Sequence, residues 1–220
     1  YMAHVDKVWA FSGSLASGAG SSDSVTWLFD PVDNTWRRDE PTGPTPDGTV
    51  SVVSAYDPNS QRVFLHNREH LYVYELPVGA DNGHYVKLNS GASYGLHGTA
   101  VIDPSRDRMF IFGKGISIAY DISDGSSYAR QVMETTGDLG LLEHQAPGLA
   151  FDPVSQQIVG WAGDGKLYYF DPHTANWTST TFKNGPGEQH VQGTNERFAY
   201  SATHDPFVSY NQTIVQALAL

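Results

Sequence analysis

The chain contains no cysteine, which rules out disulfides, cysteine-ligated zinc and thiol nucleophiles but leaves the cellular compartment open. It has no apolar run near the roughly 20 residues needed to span a bilayer, so membrane insertion is not expected. Basic residues are also scarce: 13 Lys and Arg face 24 Asp and Glu, for a net charge of −11. The densest basic cluster is Arg37-Arg38, and phosphate binding needs many more clustered cations than that. Nucleic acid is therefore excluded as a partner. Nucleotide and hydrolase signatures are missing too. GSLASGAGSSDS (13–24) is followed by no G-K-[ST], and no G-x-S-x-G occurs.

What the 220 residues do contain is 40% apolar side chains, 12% aromatics, 22 Gly and 12 Pro. That is a globular composition, long enough for a large core, with turn residues scattered as punctuation between many short elements. Few lysines, abundant Ser and Thr, and N-x-[ST] sequons at Asn176 and Asn211 point to an extracellular or cell-surface protein. The sequence starts at Tyr1, and it reads as a fragment or one domain of a longer chain.

Two segments recur. WLFDPVDNTW (27–36) and LYYFDPHTANW (167–177) carry Phe-Asp-Pro and then a Trp at the same distance, with looser copies around Tyr74 and Tyr120. The other unit is an apolar strand, an Asp-Pro turn and a second apolar strand: SAYDPNSQRVFLHN (54–67), AVIDPSRDRMFIFG (100–113) and LAFDPVSQQIVGWAG (149–163). Looser versions open the chain and close it at 198–211. The two segments alternate at spacings of about 45 to 55 residues. Each period predicts four short antiparallel strands, with Pro after Asp presetting the turn.

A four-stranded unit repeated at this interval predicts an all-β fold, a β-propeller of about five blades. The blades are expected near 1–43, 44–93, 94–138, 139–187 and 188–220, with the first and last incomplete. Trp36 and Trp177 are expected to open outermost strands and fill the space between adjacent blades. Strand 213–220, TIVQALAL, would lack an outer neighbour. An N-terminal extension or another chain is expected to cover that exposed edge.

The pattern resembles the kelch-type repeat, which carries glycines after its second strand, then an aromatic strand, then a Trp opening the fourth. The glycine pair departs to Ser12-Gly13, His66-Asn67, Phe112-Gly113 and Ala162-Gly163, whereas the aromatic strand and Trp stand in two copies. The resemblance implies a propeller fold. It does not choose among functions, since kelch propellers include enzymes, sugar-binding proteins and interaction scaffolds.

In a propeller, loops leading into the innermost strands share one end with those joining second and third strands, and functional residues gather there. Those loops carry His97, Glu143, His144, His190, Glu196 and Arg197, the candidate ligand-binding set. His97, His144 and His190 are the candidate metal ligands, because neutral imidazoles with a carboxylate suit a transition metal. A metal ion is the only cofactor the residues suggest. As a catalytic alternative, Tyr94 and His97 would abstract an α-proton while Arg197 holds a uronate carboxylate, making the protein a polysaccharide lyase. The primary expectation is a binding or scaffold domain that holds carbohydrate or a protein partner at this loop end. Trp9 and Trp161 are expected to pack between blades.

Overall fold

The computed structural model describes residues 1–12, 23–49, 51–90, 94–182, 198–201, 206–210 and 215–218. The fold is all-β, built from five sheets that follow one another along the chain. The first holds β1 (Val8–Phe11), β2 (Thr26–Asp30) and β3 (Thr35–Asp39), and the second β4 (Val53–Asp57), β5 (Arg62–His66), β6 (His70–Glu75) and β7 (His84–Ser90). The third comprises β8 (Thr99–Asp103), β9 (Arg108–Gly113), β10 (Ile116–Asp121) and β11 (Arg130–Val132). Next come a two-residue strand β12 (Thr136–Gly137), a single helical turn α1 (Gly140–Glu143), and β13 (Gly148–Asp152), β14 (Gln157–Trp161), β15 (Lys166–Asp171) and β16 (Asn176–Thr181). The fifth sheet is β17 (Phe198–Tyr200), β18 (Phe207–Tyr210) and β19 (Val215–Leu218). Within the sheets, sequential strands pair antiparallel with their neighbours. Among the described residues the first and last sheets have three strands each, and β19 stands at the edge of its sheet.

One turn design recurs five times. Asp30, Asp57, Asp103, Asp152 and Asp171 each end a strand and precede Pro. In each case the carboxylate accepts the backbone N–H two residues on: Val32 at 2.9 Å, Asn59 at 3.1 Å, Ser105 at 3.0 Å, Val154 at 2.9 Å and His173 at 2.8 Å. Four residues after each Asp, the chain takes a left-handed conformation, at Asn34, Gln61, Asp107, Gln156 and Ala175. The Asp side chain thus replaces a backbone partner, Pro fixes the second position, and the left-handed residue turns the chain into the next strand. Only Asn34 and Asp107 are residue types that favour that conformation; the other three carry its modest strain.

The chain divides into two compact units: residues 1–94 with 124–129, and 95–123 with 130–220. In the first, the first two sheets pack through Met2, Leu28, Val63, Leu65, Tyr72, Tyr74 and Tyr85, with Trp9 and Phe11 alongside. In the second, the fourth sheet is buried on both faces. Ile158, Tyr168, Phe170 and Trp177 meet Val101, Phe110, Phe112 and Ala119 of the third sheet. Val159, Trp161 and Leu167 meet Phe198 and Phe207 of the fifth. The period-two alternation of β14 and β15 sends successive side chains to opposite neighbours. One edge strand of each of these three sheets lies next to that of the following sheet, β8 beside β13 and β13 beside β17. Trp9 and Trp161 are packing residues, as expected.

Two expectations need correction. Trp177 is buried to 1% exposure, but Trp36 is 55% exposed: within its own unit the second sheet packs on the opposite face of the first sheet, through Trp9, Phe11 and Leu28. The boundary between third and fourth sheets also moves. Residues 136–137 belong to the fourth sheet, where β12 pairs parallel with β16 outside it. The second sheet repeats the device: Thr42 bridges parallel to His84 at the start of β7. In both places a Thr-Gly pair does this. The Thr42 hydroxyl bonds His84 Nδ1 at 2.8 Å, and that of Thr136 donates to Asn176 Oδ1 at 3.0 Å. Gly43 and Gly137 both have positive φ, and a Cβ on either would strike the carbonyl oxygen of Tyr85 or of Trp177.

Candidate functional site

At one end of the second unit, three loops are stitched together by their backbones. The loop before β8 accepts, at the His97 carbonyl, the amide of Ala146 at 2.8 Å. In the β9–β10 turn, the Lys114 amide donates to the His144 carbonyl and the Gly115 amide to that of Leu142, both at 2.7 Å. Three residues here, His97, Lys114 and Ala146, hold positive φ without being glycine. Such strain persists only where the surroundings fix it. Gly113, at φ +124°, closes the turn: a Cβ there would lie 2.7 Å from Pro147 Cδ and 3.0 Å from the His97 carbonyl oxygen.

Beside this cluster runs a polar network in the same sheet. The Ser179 hydroxyl donates to Asp138 at 2.6 Å, the Gly140 amide at 3.1 Å, and the Lys166 ammonium at 3.3 Å. These donors hold the Asp138 carboxyl below the usual carboxylate range, the Ser179 hydrogen bond having the largest effect, followed by the Gly140 amide, with the Lys166 hydrogen bond and charge adding to them. Tyr168 donates to Asp164 at 2.9 Å. Its hydroxyl is pushed well above the usual tyrosine range, first by burial and then by that bond, with smaller contributions from the Asp138 and Glu143 charges. The Asp164 carbonyl accepts Trp161 Nε1 at 2.8 Å, which ties the turn to the core.

The sequence-predicted residues divide. His97 and His144 are half-buried and Glu143 is exposed, and all three lie in the stitched loops. His190, Glu196 and Arg197 lie outside the described residues. Tyr94 belongs to the first unit, whereas His97 belongs to the second. The Tyr94 side chain is buried, donates to the Ser51 carbonyl and meets the His66 ring edge-on at 5.0 Å. Among the described residues, no three His, Asp or Glu side chains are grouped to hold a metal ion. Sequence reading missed Asp138, Asp164, Lys166, Tyr168 and Ser179. The signal available was the pair of Gly-Asp turns, GDLG and GDG, at the same end of one sheet.

The first unit has a corresponding loop pair. Asn67 is buried, its Oδ1 accepts the amides of Glu69 and His70, and its Nδ2 donates to the Asp47 carbonyl at 3.3 Å. This links the segment before β4 to the β5–β6 turn of the same sheet.

Among the described residues, no helix is long and apolar enough to cross a membrane. The sequence matches no protein-family profile, and no curated protein aligns with it significantly.

Proposed function

We propose that the five sheets are successive blades of a kelch-like β-propeller, and that the protein is a secreted or surface-exposed binding domain that holds carbohydrate at its loop end. The adjacency of β8, β13 and β17, edge strands of consecutive sheets, supports the propeller reading. The observation that carries the binding reading is the network around Asp138 and Tyr168, beside Glu143 and His144. It offers the part-exposed carboxylate of Asp164 and ammonium of Lys166, which can bond sugar hydroxyls, on a strand and turn tied to the core through the buried Tyr168 and Trp161. A protein partner is the other occupant consistent with such a surface.

Lyase chemistry is the second reading, and the geometry favours it less. A general base works best with a pKa near the working pH. Here the Asp138 carboxyl is shifted down and the Tyr168 hydroxyl up, each away from neutrality. Tyr94 gives its proton to a backbone carbonyl.

A glycan array followed by titration tests the proposal. Wild-type protein binds one class of saccharide without cleaving it, and Glu143→Gln or Lys114→Ala weakens binding about tenfold or more, a loss of one good polar contact. Binding that ignores both substitutions places the site elsewhere, and release of unsaturated sugar ends restores the lyase.

A further inference from the structure

The loop between β6 and β7 ends in Asn82-Gly83, a pair in which the chain can react with itself. An asparagine side-chain carbonyl carbon can close a small ring with the backbone nitrogen of the next residue, and glycine leaves that nitrogen unhindered. Here the glycine is required for a separate reason. A Cβ at Gly83 would lie 2.3 Å from ring atoms of Tyr74, so the packing of Tyr74 keeps Asn82 next to a glycine.

Both reacting groups are held by the segment at the end of β3. The Gly83 amide donates to Asp39 Oδ2 at 3.2 Å, and the Glu40 amide donates to Asn82 Oδ1 at 3.2 Å. The Asp39 side chain is sealed from solvent, with the Tyr74 hydroxyl at 2.7 Å and Arg37 at 3.3 Å fixing its position. Gly83 is buried and Asn82 is exposed. The nucleophilic nitrogen therefore faces a buried carboxylate, the electrophilic carbonyl faces an N–H donor, and a leaving group at Asn82 can escape into water.

We propose that Asn82 is a self-modification site, at which Asp39 and the Glu40 amide promote closure of Asn82 and Gly83 to a succinimide. Asp39 accepts the amide proton as the Gly83 nitrogen attacks Asn82 Cγ and the new N–C bond forms. The negative charge developing on Oδ1 meets the Glu40 amide, an oxyanion donor already in place. The Cγ–Nδ2 bond then breaks, and the nitrogen leaves as ammonia with the proton from Asp39. Water opens the ring to aspartate or isoaspartate. In sum, an amide and water become a carboxylate and ammonia, with no cofactor or oxidant. The Gly83 carbonyl accepts the Thr42 amide at 3.0 Å, so the modification alters the edge at which Thr42 closes the second sheet. It also adds a negative charge beside Asp39, Glu40 and Asp81.

Peptide mass mapping of the full chain, incubated at neutral pH, reads the tryptic segment 69–87 that contains Asn82. Folded protein converts this segment to succinimide, aspartate and isoaspartate about tenfold faster than the same chain unfolded in urea, a modest share of what a positioned base supplies. Asn82→Gln, whose ring closes far more slowly, abolishes the conversion. Asp39→Asn removes the base and Glu40→Pro removes the oxyanion donor, and each brings the folded rate down towards the unfolded one. Asp39 ends a strand and is already extended, the conformation a following Pro favours, so Glu40→Pro decides the matter if Asp39→Asn fails to fold. The proposal is overturned if the folded chain reacts no faster than the unfolded one, because the same hydrogen bonds would then be holding Asn82 still. It is equally overturned if either variant, folded, keeps the wild-type rate.

Discussion

Phe170 and Trp177 face each other across two strands and neither reaches solvent, while their counterparts Phe29 and Trp36 hold the same geometry in the open. The geometry belongs to the hairpin and the burial to its neighbour. Replacing Trp177 by Ala therefore removes core packing and costs about 3–5 kcal/mol. Trp36→Ala loses only a cross-strand ring contact, within about 1 kcal/mol. Urea unfolding of the two variants at low protein concentration separates these values.

The buried carboxylate Asp39 receives the Tyr74 hydroxyl at 2.7 Å and the Gly83 amide at 3.2 Å, with Arg37 at 3.3 Å. Tyr74→Phe leaves a buried charged acceptor one donor short, and is expected to cost about 1.5–3 kcal/mol. Tyr85→Phe breaks a bond between neutral hydroxyls, to Thr26 at 2.9 Å, and costs about 1 kcal/mol. Equal losses in denaturant melts would show that the charge on Asp39 contributes nothing.

Gly113 and Gly115 flank Lys114, and both have positive φ. Only Gly113 also has neighbours where a Cβ would sit. Gly115→Ala therefore pays backbone strain alone, about 1 kcal/mol. Gly113→Ala adds a clash with Pro147 and the His97 carbonyl, costs more, and displaces the loops of the proposed site. Paired stability and ligand titrations check this, and only the Gly113 variant should lose binding beyond its loss of folded protein.

Asp138 is held below its unfolded pKa by Ser179, Gly140 and Lys166. A depressed carboxyl stabilises the fold above its unfolded value, near pH 3.9, and that contribution is lost as pH falls through the folded value. Asp138→Asn should therefore lower stability at neutral pH and flatten the acid limb below about pH 4. Parallel slopes for variant and wild type in urea melts across that window would assign the acid sensitivity to other groups.

Much of the fold is written locally. Asp-Pro followed by three residues marks each of the five turns, since the carboxylate and the ring act within their own hairpin. Phe29 and Trp36 announce their register for the same reason. What such a motif cannot encode is what lies above a face, which is why Trp36 reads as buried and is not. Of the proposed site, His97, Glu143 and His144 are the residues that loop placement alone suggests. Asp138, Asp164, Lys166, Tyr168 and Ser179 are spread over four segments, and each alone is an ordinary polar residue. The Thr-Gly pairs at 42–43 and 136–137 were invisible because two residues bonding through their backbones leave no hydrophobic pattern.

Those Thr-Gly pairs bear on the order in which the protein assembles. The antiparallel ladders join strands consecutive in the chain and can close as hairpins, each at a small entropic cost. Thr42 and Thr136 instead reach partners 42 and 40 residues ahead, and those partners are edge positions only after the four strands they close are in place. Each pair therefore acts as a latch set last, after its sheet has zipped from hairpin to hairpin. In native-state hydrogen exchange, the amides of Tyr85 and Asp138, which bond across the latches to Thr42 and Trp177, should open before the ladders beside them, so that each sheet loosens first at its outer edge.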